Sequence, residues 1–550
     1  MIFKIKYILI FCILAFSFGC RIPLNPNPVF IRANQVGFRT GDFKTAVIFS
    51  EYPLYNKEYQ IININTGREV HEQEIKDSPF TYDKFKHCYN IDFSSLKDTG
   101  RYQIIADGHK SIPFIIKDDV FNNVVDSLML FFKVQRCGPT NPLLHGPCHL
   151  SDATSLIGGK KTSAVDVTGG WHDGGDYIKF LSTAAYTTYM LIFSYEFDKD
   201  KFGFDNDKNG VPDVLEEAKI GLDWLLRCNY DKYSLITQVQ DLRDHDNKWR
   251  KPENDPMQYD RPGFVGIGKN QVGIFCAALS IASRIWAEKF NDKVFSGKCL
   301  SAAQNIYSIR DTVPDIENTQ SGFYKDKTFW GKLALAAIEL YSDTKNVNYL
   351  NDALAYGDSA KSDYWWSWGD INSLAQYKIA RFNTRYMDYI YNNLYTFNRY
   401  KNLSPFNESL PFTWGTTNSL LGVALQAILF KEFTNTTQFD SLAFYQRDYI
   451  LGRNPWGLSF IYNIGSVFVR HLHSQIAYFN SGYLPGGLSA GPAPLSVLNN
   501  YKIDRTDSTY NYFNTDSVKY FDDRNDYITN EPTIVSNATA VFVYGYYSGR

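Results

Sequence analysis

Short runs in which apolar and polar residues alternate occupy the first part of the chain, from Val29 to about Lys117. Turn signals such as NTGRE and ADGHK separate runs that include KTAVIFS, EYQIINI, CYNIDFSSL, GRYQIIA and SIPFIIK. A period of two predicts β-strands that bury one face. Several short strands at this spacing are typical of two packed sheets. We therefore predict an all-β, immunoglobulin-like sandwich over residues 29–118.

The pattern changes after Asp118, where apolar residues recur at helical spacing over long segments. These segments do not alternate with convincing strands, so a parallel α/β fold is disfavoured. They fit six helical hairpins closed in a ring, an all-α barrel over residues 119–550. The predicted helices span residues 121–135, 184–197, 214–228, 272–290, 300–309, 333–341, 348–359, 372–381, 384–400, 418–433, 439–451 and 533–547. The polar links 229–271 and 452–532 are unusually long, and we expect function there.

Composition narrows the classes of function. The 550 residues carry a formal charge of −2, with neither a basic stripe nor an acidic tail, so we expect no nucleic-acid partner. Aromatic residues make up 16% of the chain, more than a core alone usually needs. Because planar rings stack on the apolar faces of sugars, an oligosaccharide or polysaccharide is a candidate ligand.

The first residues, MIFKIKYILIFCILAFSFGC, place Lys4 and Lys6 before an apolar run that ends near Phe18. This arrangement predicts a secretory signal that is too short to span a membrane stably. The SFGC end resembles a bacterial lipobox, so residues 1–20 would be a lipoprotein signal and Cys20 would carry the lipid anchor. A plain signal peptide is the alternative. We expect an exported lipoprotein on a bacterial membrane, periplasmic or at the cell surface.

The stretch GGWHDGGDYIKF, residues 169–180, places His172, Asp173 and Asp176 within five positions between glycine pairs. Glycines permit positive φ and the close approach of other groups. Two carboxylates three residues apart raise one another's pKa unless a partner or a reacting proton is near. The combination indicates a functional site. A polar turn with an N-cap aspartate is the alternative.

Six stretches together carry a resemblance to a known family. They are IRANQVGF, FFKVQRCGPTNPLLHGPCHLSDA, GGWHDGGDYIKF, NGVPDVLEEAKIGLDWLL, YILGRNPWGLSFIYNIG and DYITNEPTIVSNATAVF, in family order from residue 31 to residue 541. The chain resembles glycoside hydrolase family 9, in the subgroup with an N-terminal immunoglobulin-like domain. The resemblance implies an (α/α)6 barrel. It also implies an inverting endoglucanase that cleaves a β-1,4-glucan or a related β-glycan.

The resemblance assigns the two groups that an inverting glycosidase needs, a carboxylate that activates water and a protonated carboxyl across the scissile bond. The family's DAGD element matches DGGD here, with Gly174 in place of alanine. It implies Asp176 as the general base and Asp173 as the residue that holds and polarises the water. Glu531, in TNEP, matches the general acid, whose pKa must be raised to keep it protonated near neutrality.

Cys137, Cys148, His149 and His172 form a Cys2His2 set suited to tetrahedral zinc. Their spacing resembles a structural zinc site of this subgroup, which would tie the loop that carries the base to the first barrel helix. Four protein ligands leave no open position, so the zinc would be structural. The alternative is a Cys137–Cys148 disulfide, because export permits one.

The segment DNDKNGVPDVLE, residues 205–216, follows the spacing of a calcium-binding loop. Pro212 and the single helix that follows depart from a true EF-hand. Oxygen ligands this dense favour calcium over a solvated acidic turn, and similar sites occur in the family. The predicted ligands are Asp205, Asp207, Asn209, the Val211 carbonyl, Asp213 and Glu216.

Family members usually carry a PHHR-like element whose histidine and arginine grip the sugar near the cleavage point. His473, in VRHLHSQIA, matches the first histidine, whereas Ser474 and Gln475 stand where the second histidine and the arginine are expected. Loss of a bidentate guanidinium changes hydroxyl recognition more than bond-breaking chemistry. We therefore expect plain cellulose to be a poor substrate and Gln475→Arg to improve its hydrolysis. Trp414 and Trp456 are candidate stacking platforms for sugar rings.

Two other functions stay open at this point. One is an exo-acting hydrolase of another β-linked sugar, such as glucosamine oligomers or a hemicellulose. The other is a non-catalytic glycan-binding lipoprotein, against which the intact Asp173, Asp176 and Glu531 argue. Analysis of the products formed from defined oligosaccharides discriminates among the three.

Overall fold

The computed structural model describes residues 26–159, 163–318 and 324–550. The predicted lipoprotein signal, residues 1–20 with Cys20, lies outside these described residues. Among the helices of the described part, none is both long enough and apolar enough to cross a bilayer.

The first part of the described chain is all β, as the alternating pattern predicts. Its strands are β1 Val29–Ala33, β2 Gly37–Phe38, β3 Thr45–Ser50, β4 Glu58–Asn63, β5 Glu69–Glu74, β6 His87–Asp92, β7 Gly100–Ala106, β8 His109–Lys110 and β9 Phe114–Ile116. One sheet has the order β1-β3-β6, and the other has the order β2-β9-β7-β4-β5 with β8 paired to β7. In β7, the buried residues Tyr102, Ile104 and Ala106 alternate with more exposed ones, so every second side chain enters the sandwich core.

Seventeen α-helices follow in the described part of the chain. They are α1 Asn122–Gln135, α2 Leu181–Phe197, α3 Lys199–Phe202, α4 Asp213–Cys228, α5 Arg243–Asp246, α6 Lys269–Phe290, α7 Lys293–Ser308, α8 Trp330–Thr344, α9 Val347–Ala360, α10 Asn372–Ala380, α11 Met387–Tyr400, α12 Thr416–Thr434, α13 Asp440–Ile450, α14 Gln475–Phe479, α15 Leu495–Leu498, α16 Tyr527–Asn530 and α17 Ile534–Tyr546. The twelve helices of nine residues or more correspond one to one to the twelve predicted helices.

These twelve helices form two concentric rings. The inner ring is closed by contacts in the order α2-α6-α8-α10-α12-α17 and back to α2, and each inner helix packs against one outer partner from the set α4, α7, α9, α11, α13 and α1. Inner helices are buried on all sides, as in α12, where every residue from Thr416 to Phe430 is buried. Outer helices bury one face, as in α11. The predicted (α/α)6 barrel is confirmed.

Short strands also occur in the described loops between the barrel helices. They are β10 Leu156–Ile157, β11 Lys179–Phe180, β12 Ile236–Val239, β13 Gly263–Val265, β14 Ala493–Pro494 and β15 Val518–Lys519. Strand β11 ends the GGWHDGGDYIKF stretch and pairs antiparallel with β12, where Lys179 lies opposite Val239. This pairing attaches the carboxylate-bearing loop to the long 229–271 link.

Several inner helices begin at this same end. The segments directly before α2, α10, α12 and α17 line one cavity through Asp176, Trp368, Trp414 and Glu531. The barrel therefore presents Asp176 and Glu531 at the end where these inner helices begin.

Polar and aromatic contacts fix the sandwich on the barrel. Arg447 of α13 forms an ion pair with Asp42 at 2.9 Å, and both side chains are fully buried. The Asn34 side chain donates to Asp448 Oδ1 at 2.8 Å. Phe49 of β3 belongs to the apolar core of the barrel rather than to that of the sandwich. The two parts therefore share buried surface.

Candidate active site

A cavity of about 690 Å³ lies at the end of the barrel where these inner helices begin. Its wall carries five of the residues predicted to be catalytic or substrate-binding: Asp173, Asp176, Glu531, His473 and Trp414. The fold thus gathers side chains from four distant segments of the chain around one space.

Asp173 is 4% exposed and accepts hydrogen bonds from two hydroxyl groups. The Thr183 hydroxyl, in the first turn of α2, donates to Oδ1, and the Tyr324 hydroxyl donates to Oδ2. Burial raises the pKa of Asp173 to about 7; the hydroxyl donors oppose this rise and the charge of Asp176 adds to it. The Asp173 carbonyl also accepts the Ile534 N–H at 3.0 Å, which ties the loop to the start of α17.

Asp176 faces an imidazole that the sequence analysis did not single out. His245 Nε2 donates to Asp176 Oδ2 at 2.5 Å, and the Ile178 N–H donates to Oδ1 at 2.9 Å. Burial opposes ionisation, but these two donors hold the pKa of Asp176 below its ordinary value. Burial also disfavours the imidazolium, yet Asp176 raises the pKa of His245 to about 9. At neutral pH the pair is therefore a carboxylate beside an imidazolium.

Glu531 directly follows α16 and faces the backbone of the DGGD turn. The Gly175 N–H donates to Glu531 Oε1 at 2.9 Å. A Cβ atom at Gly174 would lie 2.8 Å from the same oxygen, so a methyl group there displaces the carboxyl group. Withdrawal from solvent and the charge of Asp176 raise the pKa of Glu531 to about 8, and the Gly175 N–H offsets this only in part. At neutral pH Glu531 is therefore protonated, whereas Asp176 is ionised.

His473 and Trp414 complete the predicted part of the wall. His473 Nδ1 donates to the Arg524 carbonyl at 2.7 Å, so Nε2 is the acceptor nitrogen of the ring. The His473 carbonyl leaves no room for a side chain at Gly175, where a Cβ atom would lie 2.2 Å away. The Trp414 ring packs against the Tyr527 ring at a centroid distance of 5.8 Å.

Trp456 does not reach the cavity, and the prediction that it stacks on a sugar is wrong. Its side chain is 2% exposed, and its Nε1 donates to Asn514 Oδ1 at 2.9 Å. The indole packs against the rings of Phe460 and Tyr520 at centroid distances of 6.3 and 6.0 Å. A segment distant in sequence thus covers the RNPWG turn, and the indole belongs to the core.

Ser474 and Gln475 stabilise the surrounding loops. Ser474 is 1% exposed and caps α14 by accepting the Ala477 N–H at 3.3 Å. Gln475 lines the cavity, but its Oε1 accepts the Arg250 N–H at 3.1 Å and its own N–H donates to the Gly175 carbonyl at 3.0 Å. The side-chain carbonyl of Gln475 is therefore engaged by the protein rather than aimed at a ligand.

The Cys2His2 set converges on one point. The ligand atoms of Cys137, Cys148, His149 and His172 lie within 4.8 Å of one another, and all four residues are buried. His149 Nδ1 is 3.1 Å from His172 Nε2, Cys137 Sγ is 3.5 Å from His149 Nδ1, and Cys148 Sγ is 3.8 Å from His172 Nε2. A tetrahedral zinc ion needs N–N separations of about 3.3 Å and N–S separations of about 3.6 Å. The residues therefore fit such an ion.

The surroundings of this cluster also suit a cation. His149 Nε2 donates to Asp255 Oδ2 at 3.0 Å, so Nδ1 presents its lone pair to the cluster. Burial opposes thiolate formation, but the Cys148 thiol and the Lys179 ammonium hold the pKa of Cys137 well below its ordinary value. Both cysteines are free, so the structure does not support the disulfide alternative.

The 205–216 loop brings together only part of the predicted calcium set. Three of its carboxylates offer oxygens within 4.8 Å of one another: Asp205, Asp207 and Asp213. Asn209 Oδ1 instead accepts the Val211 N–H at 2.8 Å. Glu216, the predicted twelfth-position ligand, lies outside this group; its Oε1 is 3.7 Å from Arg136 Nη2. Its Oε2 is buried and has no hydrogen-bond partner among the described residues.

Sequence reasoning missed the partners of the two aspartates and part of the aromatic lining. The missed partners of Asp173 and Asp176 are Thr183, Tyr324 and His245. The missed aromatic residues of the wall include Trp249, Trp365 and Trp368. His245 and Trp249 belong to the 229–271 link, whose length predicts function, but nothing in their immediate sequence distinguishes them.

Comparisons with known proteins agree with the predicted fold and family. A sequence model described as glycosyl hydrolase family 9 matches residues 121–544, and a model of the cellulase N-terminal Ig-like domain matches residues 28–111. Endoglucanase D of Acetivibrio thermocellus is 27% identical over 61% of this chain and 56% of its own length, so the chain spans little more than half of that relative.

Two other proteins match over nearly the whole chain. The xyloglucan-specific endo-beta-1,4-glucanase of Bacteroides ovatus is 24% identical over 98% of this chain and 97% of its own length. Among solved structures, a metagenome-derived glycoside hydrolase family 9 endoglucanase is 25% identical, with a TM-score of 0.82, over 95% of this chain and 99% of that chain. The family predicted from the six stretches is confirmed.

Proposed function

Because the chain belongs to glycosyl hydrolase family 9, we propose that it is an inverting glycoside hydrolase that cleaves a β-1,4-glucan or a related β-glycan. The observation that carries this proposal is that Asp176 and Glu531 line one cavity, where their surroundings lower the pKa of Asp176 and raise that of Glu531. Inverting hydrolysis needs one ionised and one protonated carboxyl group.

In the proposed reaction, Glu531 donates its proton to the glycosidic oxygen as the bond to the anomeric carbon breaks. Asp176 removes a proton from a water molecule that attacks the anomeric carbon from the opposite face, which inverts its configuration. Asp173, held by two hydroxyl donors, orients that water. His245 keeps Asp176 ionised before the attack.

A glucan with branches is a second candidate substrate. The relative from Bacteroides ovatus that matches nearly the whole chain is named as specific for xyloglucan. In this chain Gln475 stands where the resemblance expects an arginine, and its side-chain carbonyl is engaged by the Arg250 backbone. Without a charged side chain at this point of the wall, the hydroxyl pattern of a plain glucan is less strictly recognised.

A panel of defined oligosaccharides tests the proposal. Cello-oligosaccharides, xyloglucan oligosaccharides and glucosamine oligomers are incubated with the protein, and the first product is analysed by proton NMR. We expect cleavage of an internal β-linkage with initial release of the α-anomer. A β-anomer as first product contradicts inversion. Binding without any cleavage favours the glycan-binding alternative, and release of single terminal sugars favours the exo-acting one.

We also propose that Cys137, Cys148, His149 and His172 hold a structural zinc ion. The separation of the four ligand atoms, their burial and the Asp255 partner of His149 support this proposal. The ion would hold the segment after α1 against the loop that carries Asp173 and Asp176. Elemental analysis of the purified protein is expected to find about one zinc per chain for a closed four-ligand site.

The carboxylates of the 205–216 loop are proposed to bind calcium, a hard cation that prefers oxygen ligands. Three of them converge at the N-terminal end of α4. Added calcium is expected to raise the melting temperature of chelator-treated protein, and Asp205→Asn to abolish that rise. No change on addition of calcium would contradict the site.

The proposal extends to the organisation of the chain. Residues 1–20 are proposed to be a lipoprotein signal that anchors the exported protein at Cys20, residues 29–118 a sandwich domain, and residues 119–550 the catalytic domain. Mass spectrometry of the N-terminus of the exported protein tests the anchor, because a lipid on Cys20 and a plain cleaved end differ in mass.

A further inference from the structure

Arg250 lies between two buried aspartates of the 229–271 link. Its Nη2 contacts Asp244 Oδ1 at 2.6 Å, and its Nε and Nη2 contact the two oxygens of Asp255 at 2.8 and 3.0 Å. The Arg250 side chain is 8% exposed, and both carboxylates are fully buried. One guanidinium group thus joins two carboxylates that have no contact with solvent.

Asp255 connects Arg250 to the metal-binding cluster. Asp255 Oδ2 accepts the Nε2–H of His149 at 3.0 Å, which sets the orientation of the His149 ring. Outer partners of this kind hold metal-binding histidines in place, and their loss typically weakens metal binding 10–100-fold, as an order of magnitude. Arg250 in turn holds Asp255 through two hydrogen bonds.

Asp244 connects Arg250 to the loop that lines the catalytic cavity. Asp244 Oδ2 accepts the Tyr177 N–H at 3.2 Å, and Tyr177 directly follows Asp176 in the loop. Asp244 also precedes His245 in α5, and His245 contacts Asp176. Asp244 therefore touches the loop that carries the base and the helix that carries its imidazole partner.

The backbone of Arg250 also connects it to the loop that carries Asp176. Its carbonyl accepts the Tyr177 hydroxyl at 2.5 Å, and its N–H donates to Gln475 Oε1 at 3.1 Å. The Gln475 N–H then donates to the Gly175 carbonyl. Arg250 is therefore linked to the loop that carries Asp173 and Asp176 in three ways, through Asp244, through the Tyr177 hydroxyl and through Gln475.

We propose that Arg250 is a positioning residue that couples the Cys137, Cys148, His149 and His172 cluster to the His245–Asp176 pair. The coupling rests on the proposed function only in the role it gives to Asp176. Binding of a metal ion orders His149 and hence Asp255, Arg250 and Asp244, so that the ion and the cavity loop stabilise one another. A chain of hydrogen bonds thus links the metal-binding cluster to the loop that lines the cavity.

The geometry requires arginine. A guanidinium group presents several N–H donors in a fixed plane and bonds two carboxylates at once, whereas a lysine ammonium is a single charged point. Arg261 does not replace it, because its Nη1 lies 3.9 Å from both Asp244 and Asp255 and its Nε is committed to Asp152.

The test compares Arg250→Lys with Arg284→Lys in the full chain loaded with zinc. Arg284 is a matched control, because it too is a largely buried arginine that bridges carboxylates, those of Glu196, Glu339 and Asp343. Unlike Asp244 and Asp255, these carboxylates bond to α2 and α10 and to neither the metal-binding cluster nor residues 173–180. Two properties that do not depend on activity are measured. They are the zinc retained after dialysis against EDTA and the hydrogen exchange of the segment 173–180.

Arg250→Lys is expected to lower the affinity for zinc about tenfold or more. It is also expected to speed exchange in residues 173–180 several-fold, on the order of what removal of zinc from the wild-type protein produces. Arg284→Lys is expected to lower the melting temperature and leave both properties unchanged. With the best oligosaccharide, Arg250→Lys is expected to lower kcat about tenfold at unchanged KM, since the base rather than the sugar contacts is displaced.

The outcomes separate this proposal from the proposed function. If Arg250→Lys retains zinc as the wild type does, or loses zinc without faster exchange in 173–180, the coupling is overturned. A wild-type chain that binds no zinc also overturns it. If the wild type cleaves no glycan, the proposed function fails, but zinc retention and exchange still decide the coupling. Should Arg250→Lys not fold, Asp255→Asn, which keeps the size of the side chain, is expected to change both properties in the same direction.

Discussion

His245 donates from Nε2 to Asp176 Oδ2 at 2.5 Å, although the two residues are sixty-nine positions apart in the chain. The contact places an imidazolium beside the carboxylate that the proposed reaction uses as its base. It also connects the 229–271 link to the DGGD loop at the point where the two line the cavity. The state of Asp176 therefore depends on a side chain that its own loop does not contain.

Replacement of His245 is expected to move the acidic limb of the pH profile. His245 holds the pKa of Asp176 below its ordinary value, and a base works only above its pKa. In His245→Ala the pKa of Asp176 rises, so activity is lost at a higher pH as the solution is acidified. The measurement is kcat/KM against pH. His87→Ala, in the sandwich, is the control, and an acidic limb that stays in place in His245→Ala contradicts the role.

Glu531→Gln and Asp176→Asn are each expected to lower kcat by about 10²–10⁴-fold, the usual contribution of a general acid or base. The wild-type rate should fall as the pH rises through about 8, because Glu531 then loses the proton that it must donate. Steady-state kinetics and thermal melts check both points. Asp246→Asn, at an exposed neighbour of His245, is the control. Near-normal kcat in either variant would refute the assignment.

Gly175→Ala is expected to lower kcat about tenfold, a loss of about 1.4 kcal/mol in transition-state stabilisation. The added Cβ would lie 2.2 Å from the His473 carbonyl oxygen, so the loop that holds Asp176 must shift away from this backbone atom. Gly297→Ala is the matched control, because a Cβ there meets nothing within 4 Å. Unchanged kcat in Gly175→Ala would show that the loop adapts to the added methyl group without loss.

Gln475→Arg is expected to destabilise the protein rather than to improve the hydrolysis of cello-oligosaccharides. The substitution removes the acceptor of the Arg250 N–H, and a buried donor left without a partner costs about 1–3 kcal/mol. This outcome reverses the sequence-based expectation. Thermal melts and kcat/KM on cello-oligosaccharides measure both effects, with Gln304→Arg in α7 as the control. A gain in kcat/KM without loss of stability would restore the original expectation.

Cys137→Ser is expected to abolish zinc binding and to lower the melting temperature. The variant removes one of four ligands that converge within 4.8 Å. Cys228→Ser is the matched control, because Cys228 is equally buried but lies outside the cluster. Elemental analysis and calorimetry distinguish the two variants. Equal zinc content in both would argue against the site.

The order of secondary structure followed from local pattern alone. Alternation at a period of two and apolar spacing near 3.6 are properties of neighbouring residues, and they predicted the sandwich and each of the twelve barrel helices. The resemblance to the family, carried by six stretches that include DGGD and TNEP, implied Asp176 and Glu531 before any geometry was known. The elements needed only residues that are close in the chain, and the site residues needed the resemblance.

Two departures from the sequence-based expectations involve partners that are distant in the chain. Trp456 has the sequence context of a loop residue, but the segment that contains Asn514 and Tyr520 covers it. Glu216 has the spacing of a calcium ligand, but it lies outside the group of three aspartates, with its Oε1 3.7 Å from Arg136, the residue that follows α1. In both cases a partner distant in sequence decided whether the side chain is buried or engaged.

The sequence by itself determined the two parts of the chain, the family and the carboxyl groups proposed to carry the reaction. Only the tertiary structure decided which side chains set the charge of those groups. His245 beside Asp176 and the glycine backbone beside Glu531 do so through contacts between segments that the chain alone does not relate. The reason is that a pKa depends on burial and on charges within a few ångströms, and these follow from packing between helices and loops rather than from local order.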